Sequence, residues 1–314
     1  MALCVGFDTS NYTTSIAWCD GEEGRNESRI LDVPQGALGL RQSDALFSHV
    51  RRLPEIMERL LAGRQDLKGA AVVAASSRPR EAVDSYMPCF LAGVCEAKTL
   101  ASALGTAYLE FSHQQGHLAA AAWGCGAEKL LDKPFLAWHL SGGTTELLHV
   151  VPAGAAVHAE KIGGTTDISA GQLLDRTGVL LQLPFPAGKH VDALSQRAAG
   201  RIKPFRVKLS GLSFSLSGME NKVRALHESG EDSAEIARFA VETVADAVFR
   251  ATAAAQKEYP GLPVLCSGGV ASNSILRRTM KDAYFAPPEY SRDNAMGIAI
   301  LARRALERGE AHGK

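Results

Sequence analysis

The sequence predicts an α/β protein built from two related units, each opened by a β-hairpin, with a cleft between the halves. Three observations carry that expectation. An apolar strand, a short polar turn and a returning strand occur near residue 8. The same order recurs near residue 141, around Ser141-Gly142-Gly143-Thr144. After each hairpin, strand patterns alternate with helical ones, as layered α/β folds require.

The elements follow in order. Residues 2–8 form an unbroken apolar run ending on Asp8, and Thr9-Ser10-Asn11-Tyr12 is the turn. Residues 13–19 return, and residues 28–33 read as a third strand. Apolar side chains at Leu46, Val50, Leu53, Ile56, Met57, Leu60 and Leu61 carry helical spacing over 44–62. Strands are expected at 70–75 and 107–110, with a helix at 92–104 between them. A further helix opens at the histidine pair near residue 113. The second hairpin spans 134–140 and 145–151. A helix at 169–181, a loop at 184–188, and a long helix at 233–256 follow. A strand at 263–266, a helical stretch at 270–283 and a last helix at 294–308 complete the chain.

Bulk properties narrow the function. The 314 residues suffice for two domains of roughly 150 each. Lys plus Arg equals Asp plus Glu, at 34 each, so the chain lacks the cationic excess that autonomous nucleic-acid binding draws on. Six cysteines with no CxxC pair read as buried free thiols of a reducing, cytoplasmic compartment. Asp8 interrupts the first apolar run, so no secretory signal is expected. No apolar stretch reaches about 18 residues, so no membrane partner is expected.

The chemistry concentrates in Ser112-His113-Gln114-Gln115-Gly116-His117. On a helix, His113 and His117 stack on one face and two neutral imidazoles can share a divalent metal. A zinc protease needs a Glu beside the first histidine as base, and Gln114 cannot take a proton. Asp293, before the last helix, is either an N-cap or a third ligand. Asp8 is either a core-edge residue or the holder of a metal-bound water. Three turns of small residues follow apolar strands: Asp8-Thr9-Ser10, Ser141-Gly142-Gly143 and Ser267-Gly268-Gly269. Such turns let backbone N–H groups approach a phosphate. Asp175, mid-helix among apolar residues, calls for a polar ligand or partner. Asn273 is either a cap or a hydrogen-bonder to a base or ribose. Neither GxSxG nor a Walker motif is present.

Together these segments resemble the tRNA threonylcarbamoyltransferase (TsaD-like, formerly glycoprotease) family, in order over essentially the whole chain. His113-Gln114-Gln115-Gly116-His117 stands for H-x-E-G-H, and Ser141 to Thr145 for S-G-G-H-T. Ala170-Gly171-Gln172-Leu173-Leu174-Asp175-Arg176 stands for A-G-E-A-F-D-K, and Pro186-Ala187-Gly188 for P-G-G. Phe214 to Gly218 stands for F-S-F-S-G, Ser267 to Asn273 for A-G-G-V-S-A-N, and Arg292 to Ala295 for T-D-N-A.

The resemblance implies the actin/Hsp70/sugar-kinase fold: duplicated RNase-H-like domains around a nucleotide cleft, here 1–108 plus 294–314 and 109–293. It implies one divalent metal (Fe, Zn, Mg or Mn) on His113, His117 and Asp293. It implies ATP or threonylcarbamoyl-adenylate held by Leu140, Ser141, Gly142, Gly143, Asp175, Gly188, Gly268, Gly269 and Asn273. The candidate catalytic residues are Asp8, Ser10 and Asn11. The implied reaction moves threonylcarbamoyl from its adenylate to the tRNA adenosine beside the anticodon. Implied partners are an adenine nucleotide, tRNA, and either a TsaB-like homologous protein or a second copy of the chain.

Polar positions depart from the family pattern. No acid follows Ser10 where the family has an Asp-Glu pair. Gln115 and Gln172 stand for Glu, Thr144 for His and Glu220 for Lys. Those departures set an alternative beside the transferase: a nucleotide-binding paralogue acting through complex formation, without transfer to tRNA. A metallopeptidase ranks last, because Gln114 removes the base.

Overall fold

The computed structural model describes residues 2–10, 12–21, 23–32, 40–62 and 67–311. In chain order the first elements are β1 (Leu3–Asp8), β2 (Thr13–Cys19), β3 (Gly24–Ile30), α1 (Gln42–Leu61), β4 (Ala70–Arg78), α2 (Phe90–Leu104), β5 (Ala107–Ser112) and α3 (His113–Gly124). Then come β6 (Phe135–Leu140), β7 (Thr145–Ala153), β8 (Ala156–Thr165), α4 (Ala170–Leu180), α5 (Gly188–Ser195), β9 (Leu209–Ser210) and β10 (Ser213–Phe214). The last are α6 (Ser217–Glu228), α7 (Ser233–Glu258), β11 (Val264–Ser267), α8 (Ser274–Thr279), β12 (Tyr284–Phe285) and α9 (Met296–Glu307).

Two compact units result. The first comprises residues 1–133, 151–159 and 289–314, the second residues 134–150 and 160–288. The expected boundaries lay at 108/109 and 293/294, so the two divisions differ over residues 109–133, 151–159 and 289–293. α3 groups with the first unit because it packs against α9.

The first unit's sheet runs β3-β2-β1-β4-β5. β1 is antiparallel to β2 and parallel to β4, with Asp8 opposite Ser15. Every residue of β1 is buried, which is why its sequence is continuously apolar up to Asp8. α1 buries Ala45, His49, Leu53, Ile56 and Leu60, a stripe of helical spacing that covers one face of the sheet. α9 covers β1 and β4, and α3 packs on α9.

The second unit's sheet runs β12-β11-β6-β7-β8-β10-β9. Its hairpin β6–β7 is antiparallel, and β11 joins β6 in parallel with Ser267 opposite His139. Hairpin plus parallel neighbour is therefore the common plan of both sheets. The core gathers Trp138, Leu140, Leu147, Leu173, Phe214, Ile236 and Val244. Asp232 caps the 26-residue α7, its Oδ2 accepting from the backbone N–H groups of Ala234 and Glu235.

Three expectations shift. The third strand is residues 24–30, not 28–33, and 33–39 lie outside the described residues. The helix expected over 270–283 is divided into a single turn at 269–272 and α8, which stops at Thr279, because Asn273 is extended (ψ 131°) and caps α8. Among the cysteines, all free, Cys4, Cys19, Cys89 and Cys266 are buried, but Cys95 is exposed and Cys125 half-buried. No described helix is long and apolar enough to cross a membrane.

Candidate metal centre

α3 begins where β5 ends, and its first turn carries both histidines. Ser112 and Gln115 form a reciprocal cap: Ser112 Oγ accepts from the Gln115 N–H, and Gln115 Oε1 accepts from the Ser112 N–H at 2.8 Å. The Gln115 amide also donates Nε2–H to the Val157 carbonyl at 2.8 Å, within the first unit. A glutamate could supply the cap but not that donation. Gln115→Glu is therefore expected to lower stability by about 1–3 kcal/mol, an acceptor being left against a buried carbonyl. A urea midpoint equal to the wild type's would contradict this.

Opposite α3 stands the turn before α9. Asp293 does not cap that helix; the cap position is Ala295, and the Asn294 side chain accepts from the Met296 N–H at 3.1 Å. The Ala295 N–H donates to Ser15 Oγ and Asn26 Oδ1, which ties the turn to β2 and β3. Two glycines bring the helices into backbone contact. A Cβ on Gly297 would lie 1.8 Å from the Gly116 carbonyl oxygen, and one on Gly116 would meet Ile298 Cδ1 at 2.9 Å.

The result is a convergence of three donors. His113 Nε2 and His117 Nε2 lie 2.8 Å apart, and Asp293 Oδ1 is 3.6 and 3.2 Å from them. Bonds of ~2.1 Å to a tetrahedral ion place donors ~3.4 Å apart, so the spacing fits one ion without rearrangement of the backbone. The His side chains are 19% and 14% exposed and Asp293 38%, so the centre is lined by protein but open on one side. No other described group of three His, Cys, Asp or Glu residues converges in this way. Asp8, 1% exposed, accepts from His113 Nδ1–H at 2.6 Å through Oδ2 and from the Ser10 N–H at 2.8 Å through Oδ1. Thr13 Oγ1 donates to Asp293 Oδ2 at 3.1 Å.

These charges move the titration of the metal-free centre. Burial works to lower the pKa of His113, but Asp8 and Asp293 outweigh it and raise it to about 10. Asp293 is pushed up by burial, yet the two histidines hold it well below the ordinary carboxylate value. A His whose folded pKa is raised stabilises the fold fully below its ordinary value of 6.5, and that share is lost as pH rises through about 10. In chelator, the urea midpoint is accordingly expected to fall between those limits, and the fall to be absent in His113→Asn. A flat wild-type profile would contradict it. Metal uptake at neutral pH is expected to displace a proton from the ring.

Ser10 Oγ is buried and has no hydrogen-bond partner among the described residues. Asn11 lies outside the described residues.

The remaining candidates all belong to the second unit. Ser141 Oγ accepts from the Gly143 and Thr144 N–H groups, and the turn is held on α4 by Ser169 Oγ–H donating to the Gly142 carbonyl at 2.7 Å. Gly142 and Gly143 have open space where a Cβ would stand. Gly268 has φ +93°, and a Cβ there would meet the Leu140 carbonyl oxygen at 2.2 Å, so the two glycine turns abut and only glycine fits. Asp175 Oδ1 accepts from the Ala187 N–H at 2.8 Å, beside Gly188 at the start of α5. Asn273 Oδ1 caps α8, while its Nδ2 donates to Asp192.

Sequence reasoning missed Asp192, which receives Asn273 Nδ2, Ser274 N and Ser274 Oγ and ties α5 to α8. It also missed Thr13, Gly297 and the structural use of the two glutamines. Gln172 repeats the cap of Gln115, its Oε1 accepting from the Ser169 N–H. The spacing Ser-x-x-Gln, present at both sites, was the available signal.

The profile of the TsaD family, tRNA N6-adenosine threonylcarbamoyltransferase, matches residues 43–300. A tRNA N6-adenosine threonylcarbamoyltransferase of Thermus thermophilus is 35% identical, over 97% of this chain and 93% of its own length. One of Pelobacter propionicus is 32% identical over 98% and 94%. Among solved structures, component A of the Acidaminococcus fermentans (R)-2-hydroxyglutaryl-CoA dehydratase covers 97% of the chain and all of its own, with a TM-score of 0.56 at 14% identity. Full-length HypF covers 98% of the chain with 46% of its own, with a TM-score of 0.59 at 14% identity. Those two show the fold, an α/β fold of the actin/Hsp70/sugar-kinase type.

Proposed function

The chain belongs to the TsaD family of tRNA N6-adenosine threonylcarbamoyltransferases, and from that premise we propose that it is a metal- and nucleotide-binding transferase. Its metal sits on His113, His117 and Asp293, and its nucleotide on the loops of the second unit. It moves threonylcarbamoyl from the adenylate to N6 of the tRNA adenosine beside the anticodon. The convergence of the three donor atoms is the observation that carries this reading.

In the reaction the bond between the carbamoyl carbon and the phosphate oxygen breaks. A bond to N6 forms, AMP departs with the electron pair, and N6 gives up a proton. A divalent ion in this centre would supply Lewis-acid stabilisation of the negative charge that develops on the departing phosphate. The rest falls to the chain. Two imidazoles and one carboxylate leave the ion a net positive charge and open positions toward solvent. The two glycine turns let phosphate oxygens approach the backbone at Gly142, Gly143 and Gly269, where a Cβ would stand in open space. Asp175 orders the Ala187–Gly188 corner for the nucleoside. Ser10 Oγ, buried and without a partner among the described residues, is the group proposed to bond the transferring acyl group. Asp8 holds the Ser10 N–H on one oxygen, and Asn11 is the remaining catalytic candidate.

The departures from the family pattern bear on the choice of reading. Gln115 and Gln172 both serve helix caps, a position that takes Glu or Gln alike, so neither exchange removes an acid from the chemistry. Tyr12 and Thr13, in place of the acidic pair, favour the second reading: a nucleotide-binding paralogue that acts through complex formation. Charge parity supports a tRNA complex in which a partner of the same fold, or a second copy of the chain, supplies basic surface.

The two readings separate in a strain depleted of its own threonylcarbamoyltransferase. Expression of this chain with the host's partner proteins is expected to restore threonylcarbamoyl-adenosine in tRNA nucleoside digests. Soluble protein at normal level with no modified nucleoside would leave only the second reading.

A further inference from the structure

We propose that the β1–β2 hairpin is the bracing shell of the metal centre, with Asp8 and Thr13 as positioning residues for His113 and Asp293. This rests on the metal reading above. The two residues flank one turn: Asp8 ends β1 and Thr13 opens β2. Each reaches a different ligand on the atom turned away from the site, Asp8 on Nδ1 of His113 and Thr13 on Oδ2 of Asp293.

Against a carboxylate, the imidazole Nδ1 can only donate. The 2.6 Å contact therefore fixes Nδ1–H and reserves the Nε2 lone pair for the ion. It also fixes the rotation of the ring, since Asp8 is itself held by the Ser10 N–H at 2.8 Å and buried to 1%. Such carboxylate–histidine–metal chains raise ligand basicity and set the ring plane. Thr13 acts on the carboxylate ligand. By occupying Oδ2 it leaves Oδ1 as the oxygen facing both histidines, which favours one-oxygen ligation. A threonine stands here where the resembling family carries an acid. In this chain the position adds a donor to the second layer in place of a further negative charge.

The amide exchange at Asp8 is diagnostic. Both of its oxygens accept, one from Ser10 and one from His113. An asparagine has one oxygen and one NH2. With its oxygen on Ser10, its NH2 faces Nδ1, and the ring proton must move to Nε2, where it blocks the ion. With its oxygen on His113, the buried Ser10 N–H faces a donor. Neither orientation reproduces the native pair.

The test is a titration of metal-free full-length protein with cobalt(II) against a competing chelator, read in the visible absorption of the bound ion. Wild type, Asp8→Asn, Asp8→Glu and Thr13→Val are compared, with His117→Ala as the ligand control. Asp8→Asn is expected to weaken cobalt binding about 10–100-fold, the range for loss of an outer-shell partner. Asp8→Glu, which keeps two acceptors, is expected to retain more affinity than Asp8→Asn. Thr13→Val, which keeps shape and loses the hydroxyl, is expected to weaken binding about 5-fold, the worth of one hydrogen bond. Both are expected to alter the cobalt spectrum, which a role in folding alone would leave unchanged in the loaded protein. Wild-type affinity and spectrum in Thr13→Val and in the Asp8 variant that folds would overturn the inference. A wild type that takes up no more cobalt than His117→Ala would overturn the metal reading itself.

Discussion

Replacing Gly297 with alanine is expected to cost about 3 kcal/mol or more, the upper end for overpacking, because the new methyl meets backbone and not a movable side chain. The added carbon would stand 1.8 Å from the Gly116 carbonyl oxygen, 2.5 Å from its carbon and 2.9 Å from its Cα. Relief requires α3 and α9 to separate, and those helices carry or follow all three candidate ligands. The same substitution is therefore expected to weaken metal binding as well as stability. Gly188→Ala is the control, since its Cβ would meet open space. Urea midpoints measure the first effect and cobalt titration the second. A Gly297→Ala protein as stable as Gly188→Ala would show that the helices are not held at this contact.

Asp293→Ala is expected to lower the rate of transfer to tRNA by more than about 100-fold. It removes a proposed ligand, and loss of outer-shell partners alone costs about 10–100-fold in affinity or activity. It also removes the negative charge that His113 and His117 face at 3.6 and 3.2 Å. Two histidines then confront each other at 2.8 Å with no anion between them and an incoming dication. Single-turnover transfer from the adenylate, at metal concentrations that saturate the wild type, measures the effect. A rate within a few-fold of wild type would place the ion, or the chemistry, elsewhere.

The centre was legible in the sequence to an unequal degree. The histidine pair could be read because four-residue spacing on a helix is a local geometric statement, and the capped α3 obeys it. From the residues alone Asp293 is either a cap or a third ligand, and only the resemblance chooses between them, because 175 residues of chain intervene between it and His117. What brings them together, Gly116 against Gly297, is a contact between backbones that leaves in the sequence only two glycines inside helical patterns. Against the family pattern the two glutamines stand as lost acids, whereas their work is done by a cap and, in Gln115, a donated hydrogen bond.

The same distinction runs through the fold. The buried strands β1, β4, β6 and β11 announce themselves as apolar runs. β8 escaped because its sequence, AVHAEKIGGT, mixes charge and glycine without sustained alternation. α6 escaped because it buries only Met219 and Val223 in twelve residues. α5 escaped because it buries only Val191 and Ser195 in eight. Elements that owe their place to a few contacts and to loop anchors such as Asp167, which accepts from Ser215 Oγ and the N–H groups of Leu216 and Ser217, leave little periodic signal.

On the proposed function, His113, His117 and Asp293 form a metal site in a functioning member of this family. Elemental analysis of purified wild type and His117→Ala, each dialysed against the same trace-metal buffer, tests it most directly. About one divalent ion per wild-type chain is expected, and a content in the variant lower by an order of magnitude or more, as loss of a ligand requires. Equal metal content in the two folded proteins would contradict it.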